Sequence, residues 1–248
     1  MRYALQWLRS LLFNINMYVA MPVVALVFLP WAAVSRAGAY AGCNSYCRYV
    51  QWSAGWMIGL RCEVRGTPPT GPALVAAKHQ SFLDILMIFT ALPQARFIAK
   101  RELIWAPVLG LYAWRIGCVF VDRGKRGQAI TKMVRDVAAD SGAPGQLTIY
   151  PQGTRVAPGV RRPYKMGTGV LYEKLQQPCV PVACNVGVFW PKRGVYRKPG
   201  IAVVEFLSPI PPGLPKGQFM AQLERMIETR SDALMAGAGF TALPPPVR

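Results

Sequence analysis

The sequence predicts an α/β fold: a mostly parallel sheet flanked by helices, preceded by an N-terminal membrane-associated helical segment. Three observations carry that reading. From residue 73 onward, short apolar runs of strand length alternate with helix-length amphipathic stretches, the texture of a parallel sheet. Between Ser10 and Ser35 there is no charged residue. The composition, 52% hydrophobic and 16% charged, is too apolar for a disordered chain and unusual for a freely soluble one. A chain of 248 residues can sustain a single core. The change of texture at Gly66-Thr67-Pro68-Pro69 divides residues 1–65, the membrane-associated segment, from residues 66–248.

The first element is the stretch LLFNINMYVAMPVVALVFLPWAAV, long enough to cross a hydrocarbon layer of about 30 Å, although Asn14, Asn16, Pro22 and Pro30 interrupt it. A second weakly charged stretch runs from Ala37 to Leu60, with Arg48 as its only ion and Trp52 and Trp56 near its end. Arg2, Arg9, Arg36, Arg61 and Arg65 flank both, so the positive-inside rule gives no orientation. Three arrangements fit: a single span, a pair of helices that enters one leaflet and returns, and a cleaved signal peptide ending near Ala37-Gly38-Ala39.

Strands are then expected at Ala73–Lys78, Ala95–Ala99, Ile116–Val121, Gln146–Tyr150, Cys179–Asn185 and Ile201–Phe206. Helices are expected at Phe82–Thr90, Leu103–Trp114, Gly127–Ala139, Gly167–Gln176 and Lys216–Met235. Pro209-Ile210-Pro211-Pro212 ends the last strand, and Leu243-Pro244-Pro245-Pro246 reads as a frayed tail.

Charge and cysteine use narrow the function. Lys and Arg number 29 against 11 Asp and Glu, a net +18 that calls for a negative partner: nucleic acid, an anionic bilayer or a phosphorylated substrate. The basic residues are dispersed rather than striped and the N-terminus is apolar, which argues against nucleic acid. Cys43, Cys47, Cys62, Cys118, Cys179 and Cys184 form no C-x-x-C pair and sit in apolar surroundings, so they read as buried small hydrophobes in a reducing compartment. With one histidine in the chain, a structural zinc site is not expected.

That histidine, His79, follows the apolar run ALVAAK and opens His-Gln-Ser-Phe-Leu-Asp. Five residues apart on a regular helix, His79 and Asp84 would point away from each other. They can meet when His79 lies in the turn before a helix and Asp84 in its first turn, with Ser81 as N-cap. Asp84 would then fix the imidazole tautomer and leave the other ring nitrogen free to take a proton. The alternative is a capping box, Ser81-x-x-Asp84, with no chemistry attached. Tyr-Pro-Gln-Gly-Thr-Arg, residues 150–155, reads as a strand end followed by a glycine turn: Gly153 for close backbone approach, Thr154 for a hydroxyl, Arg155 for a bidentate phosphate fork. Val119-Phe120-Val121-Asp122-Arg123 delivers a second arginine at a strand's carboxyl end, where open α/β sheets bind ligands. Each arginine could equally be a solvated surface charge.

Taken in order, His-x4-Asp, Phe-Val-Asp-Arg, Pro-Gln-Gly-Thr-Arg and Val180-Pro181-Val182 resemble the four motifs of the glycerolipid acyltransferases, over roughly residues 70–210, most closely the lysophosphatidic acid type. The resemblance implies that His79 is the base and Asp84 its orienting partner. It also implies that Arg123 and Arg155, with Gln152, Gly153 and Thr154, hold the acceptor phosphate, with Lys100 as a further candidate contact. Two positions depart from the family pattern: Lys78 stands where Asn is usual, and Gln152 where Glu is usual. Gln152 is expected to keep an acceptor oxygen that shapes the turn.

The reaction so implied is direct attack of a lyso-phospholipid hydroxyl on the thioester of acyl-CoA or acyl-carrier protein, at an anionic membrane surface on the cytoplasmic face of the cell inner membrane. It requires no metal or cofactor, and backbone N–H groups at the helix start after His79 are the natural oxyanion donors. Lyso-ornithine lipid as acceptor and a non-enzymatic basic membrane-binding protein are the alternatives, and no cysteine lies in a nucleophile turn that would suggest a Cys–His hydrolase.

Overall fold

The structure, a computed structural model, describes residues 2–106, 108–121 and 145–242. Two long helices open the chain, α1 (Arg2–Val34) and α2 (Arg36–Ile58), and Gly59 leads straight into β1 (Leu60–Arg65). There follow β2 (Ala73–Ala77), α3 (Leu83–Ala91), β3 (Ala95–Lys100), a 3-10 turn (Arg101–Trp105), α4 (Leu109–Arg115) and β4 (Val119–Val121). After β5 (Gln146–Ile149) come α5 (Gly167–Leu175), β6 (Cys179–Cys184), β7 (Gly200–Phe206) and α6 (Lys216–Gly237).

The seven strands form one sheet in the order β1-β7-β6-β2-β5-β3-β4. Every pairing is parallel except β6 with β7, where Val182 faces Phe206 and Cys184 faces Val204. Period-2 alternation sorts the central strand β2 between two cores. Ala73, Val75 and Ala77 face the layer of α1, α2 and α3, whereas Leu74 and Ala76 face α5 and α6. On that second face Tyr172 and Phe219 stack with ring centroids 3.7 Å apart. The result is a three-layer α/β/α arrangement, as the sequence predicts.

All six expected strands are present. The N-terminal segment adds a seventh: Leu60–Arg65 is β1, paired to β7 from Leu60↔Gly200 to Arg65↔Glu205. The sheet therefore reaches back past the division drawn at residue 66. The helix expected at Leu103–Trp114 is split into the 3-10 turn and α4, because Ala106, the residue before a proline, is extended (φ −70°, ψ 121°). The helix expected at Gly127–Ala139 lies outside the described residues.

α1 and α2 form an antiparallel hairpin. Ser35 caps α2, its side chain accepting from the Ala37 N–H at 3.1 Å, and Gly59 closes it in the left-handed conformation (φ 68°). Gly38 allows the tight approach at the bend, since a Cβ there would lie 2.6 Å from the Trp31 carbonyl. α1 is long and apolar enough to cross a membrane by length and composition. Its interrupting polar residues are not defects: Gln6, Ser10 and Asn14 recur every fourth position and anchor one face to the loop before β7. Gln6 Nε2 donates to the Ile58 and Arg197 carbonyls at 3.0 and 2.9 Å, and Asn14 Nδ2 to the Val195 carbonyl at 3.0 Å. Ser10 Oγ accepts from the Arg197 N–H at 3.0 Å, and Phe13 meets Trp190 edge-on. Asn16 bonds the Tyr49 hydroxyl of α2 at 2.7 Å. The two helices pack along each other as one turning pair.

Candidate functional site

His79 follows β2 directly and Asp84 sits in the first turn of α3, so the strand-to-helix turn brings the two together. His79 Nδ1 and Asp84 Oδ1 are 2.8 Å apart. The other carboxylate oxygen, Oδ2, accepts the backbone N–H groups of Gln80 and Ser81 at 2.8 and 2.7 Å. Ser81 Oγ in turn accepts from the Leu83 N–H at 3.3 Å. One oxygen thus takes the Ser81 N–H as in a capping box and the other pairs with His79, although the N-cap residue of α3 is Phe82 rather than the expected Ser81. Gln80, Ser81 and Asp84 are fully buried, while His79 keeps an exposed edge. With Nδ1 committed to Asp84, the proton sits there and Nε2 is left as the basic nitrogen.

Of the backbone N–H groups between His79 and α3, those of Gln80 and Ser81 are spent on Asp84.

β5 lies beside β2 in the sheet, so the turn after β5 emerges next to His79. The turn closes with Gly153 N–H donating to the Tyr150 carbonyl at 2.8 Å, and Gly153 adopts φ 69°, which a side chain would strain. Two further contacts fix it to the base: Tyr150 stacks on the imidazole at 3.9 Å between ring centroids, and the Val156 N–H donates to the His79 carbonyl at 2.8 Å. Thr154 and Arg155 are half-buried between those two anchors. Burial, and then the Asp84 charge, push the Tyr150 phenol well above its usual range. Sequence reasoning missed three neighbours of this turn. Lys165 reaches so close to Gly153 that a Cβ there would meet its Nζ at 2.7 Å, Lys192 Nζ donates to the Arg155 carbonyl at 3.3 Å, and Tyr150 packs the ring. Two of them are single lysines in loops, for which periodicity carries no signal.

The remaining expected residues scatter more. Lys100 ends β3, one strand beyond β5, and is exposed. Arg123 lies outside the described residues. Gln152 is buried, and its amide has two acceptors as neighbours, the Arg162 carbonyl and Glu228 Oε1, each at 3.4 Å. Its amide nitrogen therefore acts as a donor toward the loop return and α6. Its neighbour Glu228, on α6, also holds Lys78 Nζ at 2.7 Å. Cys184, close to the Lys78 carbonyl, has a thiol pushed well up by burial, the opposite of an activated nucleophile.

The site so built pairs an oriented imidazole with a basic glycine turn at the carboxyl ends of adjacent parallel strands. Comparison with known proteins bears on it directly. A profile of the family described as Acyltransferase matches residues 61–185. The 1-acyl-sn-glycerol-3-phosphate acyltransferase alpha of Mus musculus is 35% identical over 163 residues, covering 63% of this chain and 57% of that protein. The 1-acyl-sn-glycerol-3-phosphate acyltransferase of Pseudomonas aeruginosa is 29% identical over 161 residues, 63% of this chain and 62% of that one. In both cases the matched region spans less than two thirds of the relative's length. The crystal structure of the 1-acyl-sn-glycerophosphate acyltransferase from Thermotoga maritima superposes with a TM-score of 0.77 over 95% of this chain and 100% of that one, at 19% identity, and shares the fold.

Proposed function

This chain belongs to the acyltransferase family, and we propose on that premise that it transfers a fatty acyl group to the free hydroxyl of lysophosphatidic acid, giving phosphatidic acid. The observation that carries the reading is the tether between base and turn: the residue after Arg155 donates its N–H to the carbonyl of His79 itself, at 2.8 Å. An acceptor whose hydroxyl and phosphate are separated by a short carbon bridge fits a site in which base and phosphate ligands are neighbours.

In the reaction, His79 Nε2 takes the hydroxyl proton as the oxygen attacks the thioester carbonyl of acyl-CoA or acyl-carrier protein. The tetrahedral intermediate collapses with loss of the C–S bond, and the imidazolium returns its proton to the departing thiolate. Asp84 holds the tautomer and stabilises the imidazolium, a contribution of the general-base class worth about 10²–10⁴-fold. Gly153, Thr154 and Arg155 bind the phosphate, with Arg123 and Lys100 as further contacts. The acceptor and product are membrane lipids, and the hairpin's apolar surface supports work at the cytoplasmic face of the cell inner membrane.

The test is an acyl-transfer assay with purified full-length chain in mixed micelles, offering lysophosphatidic acid and lyso-ornithine lipid as acceptors, and acyl-CoA and acyl-carrier protein as donors. Transfer to lysophosphatidic acid at a kcat/KM at least about tenfold above that for the phosphate-free acceptor supports the reading, because phosphate contacts are charge-assisted. Equal use of the two sinks it.

A further inference from the structure

Beneath the site lies a buried ionic cluster that the proposed chemistry does not use. Its centre is Glu228 of α6, 1% exposed. Both its oxygens accept from Lys78 Nζ at 2.7 Å, and Oε1 also takes the Tyr164 hydroxyl at 2.9 Å and Gln152 Nε2 at 3.4 Å. Arg161 donates to Oε2 and reaches Asp232, one helical turn further on. Burial and the Glu228 charge push the nearby Glu224 carboxyl up, so the surroundings oppose a second negative charge.

The partners of Glu228 fall on the two segments that make the site. Lys78 directly precedes His79, and Gln152 directly precedes Gly153. Arg161 and Tyr164 lie on the return of the same loop, whose Lys165 N–H donates to the Pro151 carbonyl at 2.9 Å. One carboxylate, from the far end of the chain, therefore grips the base-bearing turn and the glycine turn together. An ionic group is a costly way merely to fill space, since a well-packed apolar set of similar volume is often as stable. Nearby on this face of the sheet, Leu74, Ala76 and Ile149 make apolar packing against α5 and α6.

The three residues also depend on one another. Lys78 buried without a carboxylate would be an uncompensated charge, and a carboxylate at 152 would sit against Glu228.

We propose that Glu228 is a positioning residue which, through Lys78 and Gln152, sets the spacing between His79 and the Gly153–Arg155 turn, and so selects acceptors by the distance from reacting hydroxyl to phosphate. The inference rests on the lysophosphatidic acid reading and refines it.

The experiment compares wild type with E228Q, Q152E, the swap Q152E/E228Q and the apolar pair K78M/E228M, full-length in mixed micelles, for kinetics on both substrates and for Tm. E228Q and Q152E are each expected to lower kcat/KM for lysophosphatidic acid about thirtyfold or more, with the donor KM held within about twofold. The swap returns one carboxylate to the meeting point of Lys78 and Gln152, and is expected to recover activity to within about fivefold of wild type. K78M/E228M, which keeps the volume and removes the Lys78–Glu228 ion pair while Arg161 keeps Asp232, is expected to hold its Tm within about 5 °C and still lose at least about tenfold in acceptor kcat/KM. Wild-type acceptor kinetics in E228Q or in K78M/E228M overturns the inference, as does a swap no better than its single variants. If E228Q does not fold, the acceptor kinetics of K78M/E228M decide between the two outcomes. A wild-type chain that transfers nothing to lysophosphatidic acid overturns the functional reading, and this inference with it.

Discussion

Asp84 serves two purposes, one on each oxygen. Its Oδ2 ties down two backbone N–H groups at the start of α3, and its Oδ1 orients His79. The two purposes separate by mutation. His79→Ala leaves the cap untouched, so kcat should fall by about 10²–10⁴ with Tm unchanged. Asp84→Asn should lose as much activity and in addition about 1 kcal/mol of stability, because an amide cannot accept at every point where the carboxylate did. Parallel kinetics and thermal unfolding check this; more than a tenth of wild-type kcat in His79→Ala would rule out the base assignment. The His-x4-Asp spacing is legible in the sequence, and so is the capping box, but only the fold shows that one side chain serves both. Glu228 is not legible as a partner of Lys78, because 150 residues separate them. A trace of it is there: Met220, Leu223, Ile227, Ser231 and Leu234 mark the buried stripe of α6, and Glu228 falls on its edge.

At the scale of elements, six strands are legible because each is a short apolar run bounded by turn residues. β1 is not, because it follows α2 with Gly59 alone between them and no cluster of turn residues marks its start, although Leu60, Cys62 and Val64 alternate with Arg61, Glu63 and Arg65. α1 reads as apolar, yet the four-residue spacing of Gln6, Ser10 and Asn14 carries its docking. Ser10 is fully buried, and Ser10→Ala leaves the Arg197 N–H without its acceptor. The expected loss is about 1–3 kcal/mol, read as a lower denaturant midpoint with the m-value unchanged. Gly38→Leu tests the bend itself. Its Cβ would collide with the Trp31 backbone, so hairpin packing should fail and limited proteolysis should cut near Ser35 faster than in wild type.

For the whole molecule, the docked face of α1 has an opposite. Leu12, Val19, Val23 and Leu26 recur along one side of the helix and are at least half exposed. Leu12→Lys with Leu26→Lys should weaken binding to anionic vesicles at least about tenfold through the apolar area withdrawn, measured by co-sedimentation, with Tm little changed. Because the net charge is +18, residual binding should fall as salt is raised. Removing α1 and α2 outright is a poorer probe. Phe13, Val50, Ala54 and Ile58 belong to the same core as the sheet residues Val75 and Val182, so truncation should yield insoluble chain.

A single residue, Gly59, separates α2 from β1. An enzyme hung from a membrane by a flexible tether wobbles, and spends most encounters facing the wrong way. Here the hairpin continues directly into the sheet's backbone hydrogen bonds, so the sheet that carries the candidate site has no swivel of its own. On the proposed reading of an enzyme seated on a bilayer, its tilt and its height above the lipid headgroups would be settled when the chain folds, as the focal length of a lens is settled when it is ground. Acceptor lipids would then need only to diffuse sideways into a plane already in focus.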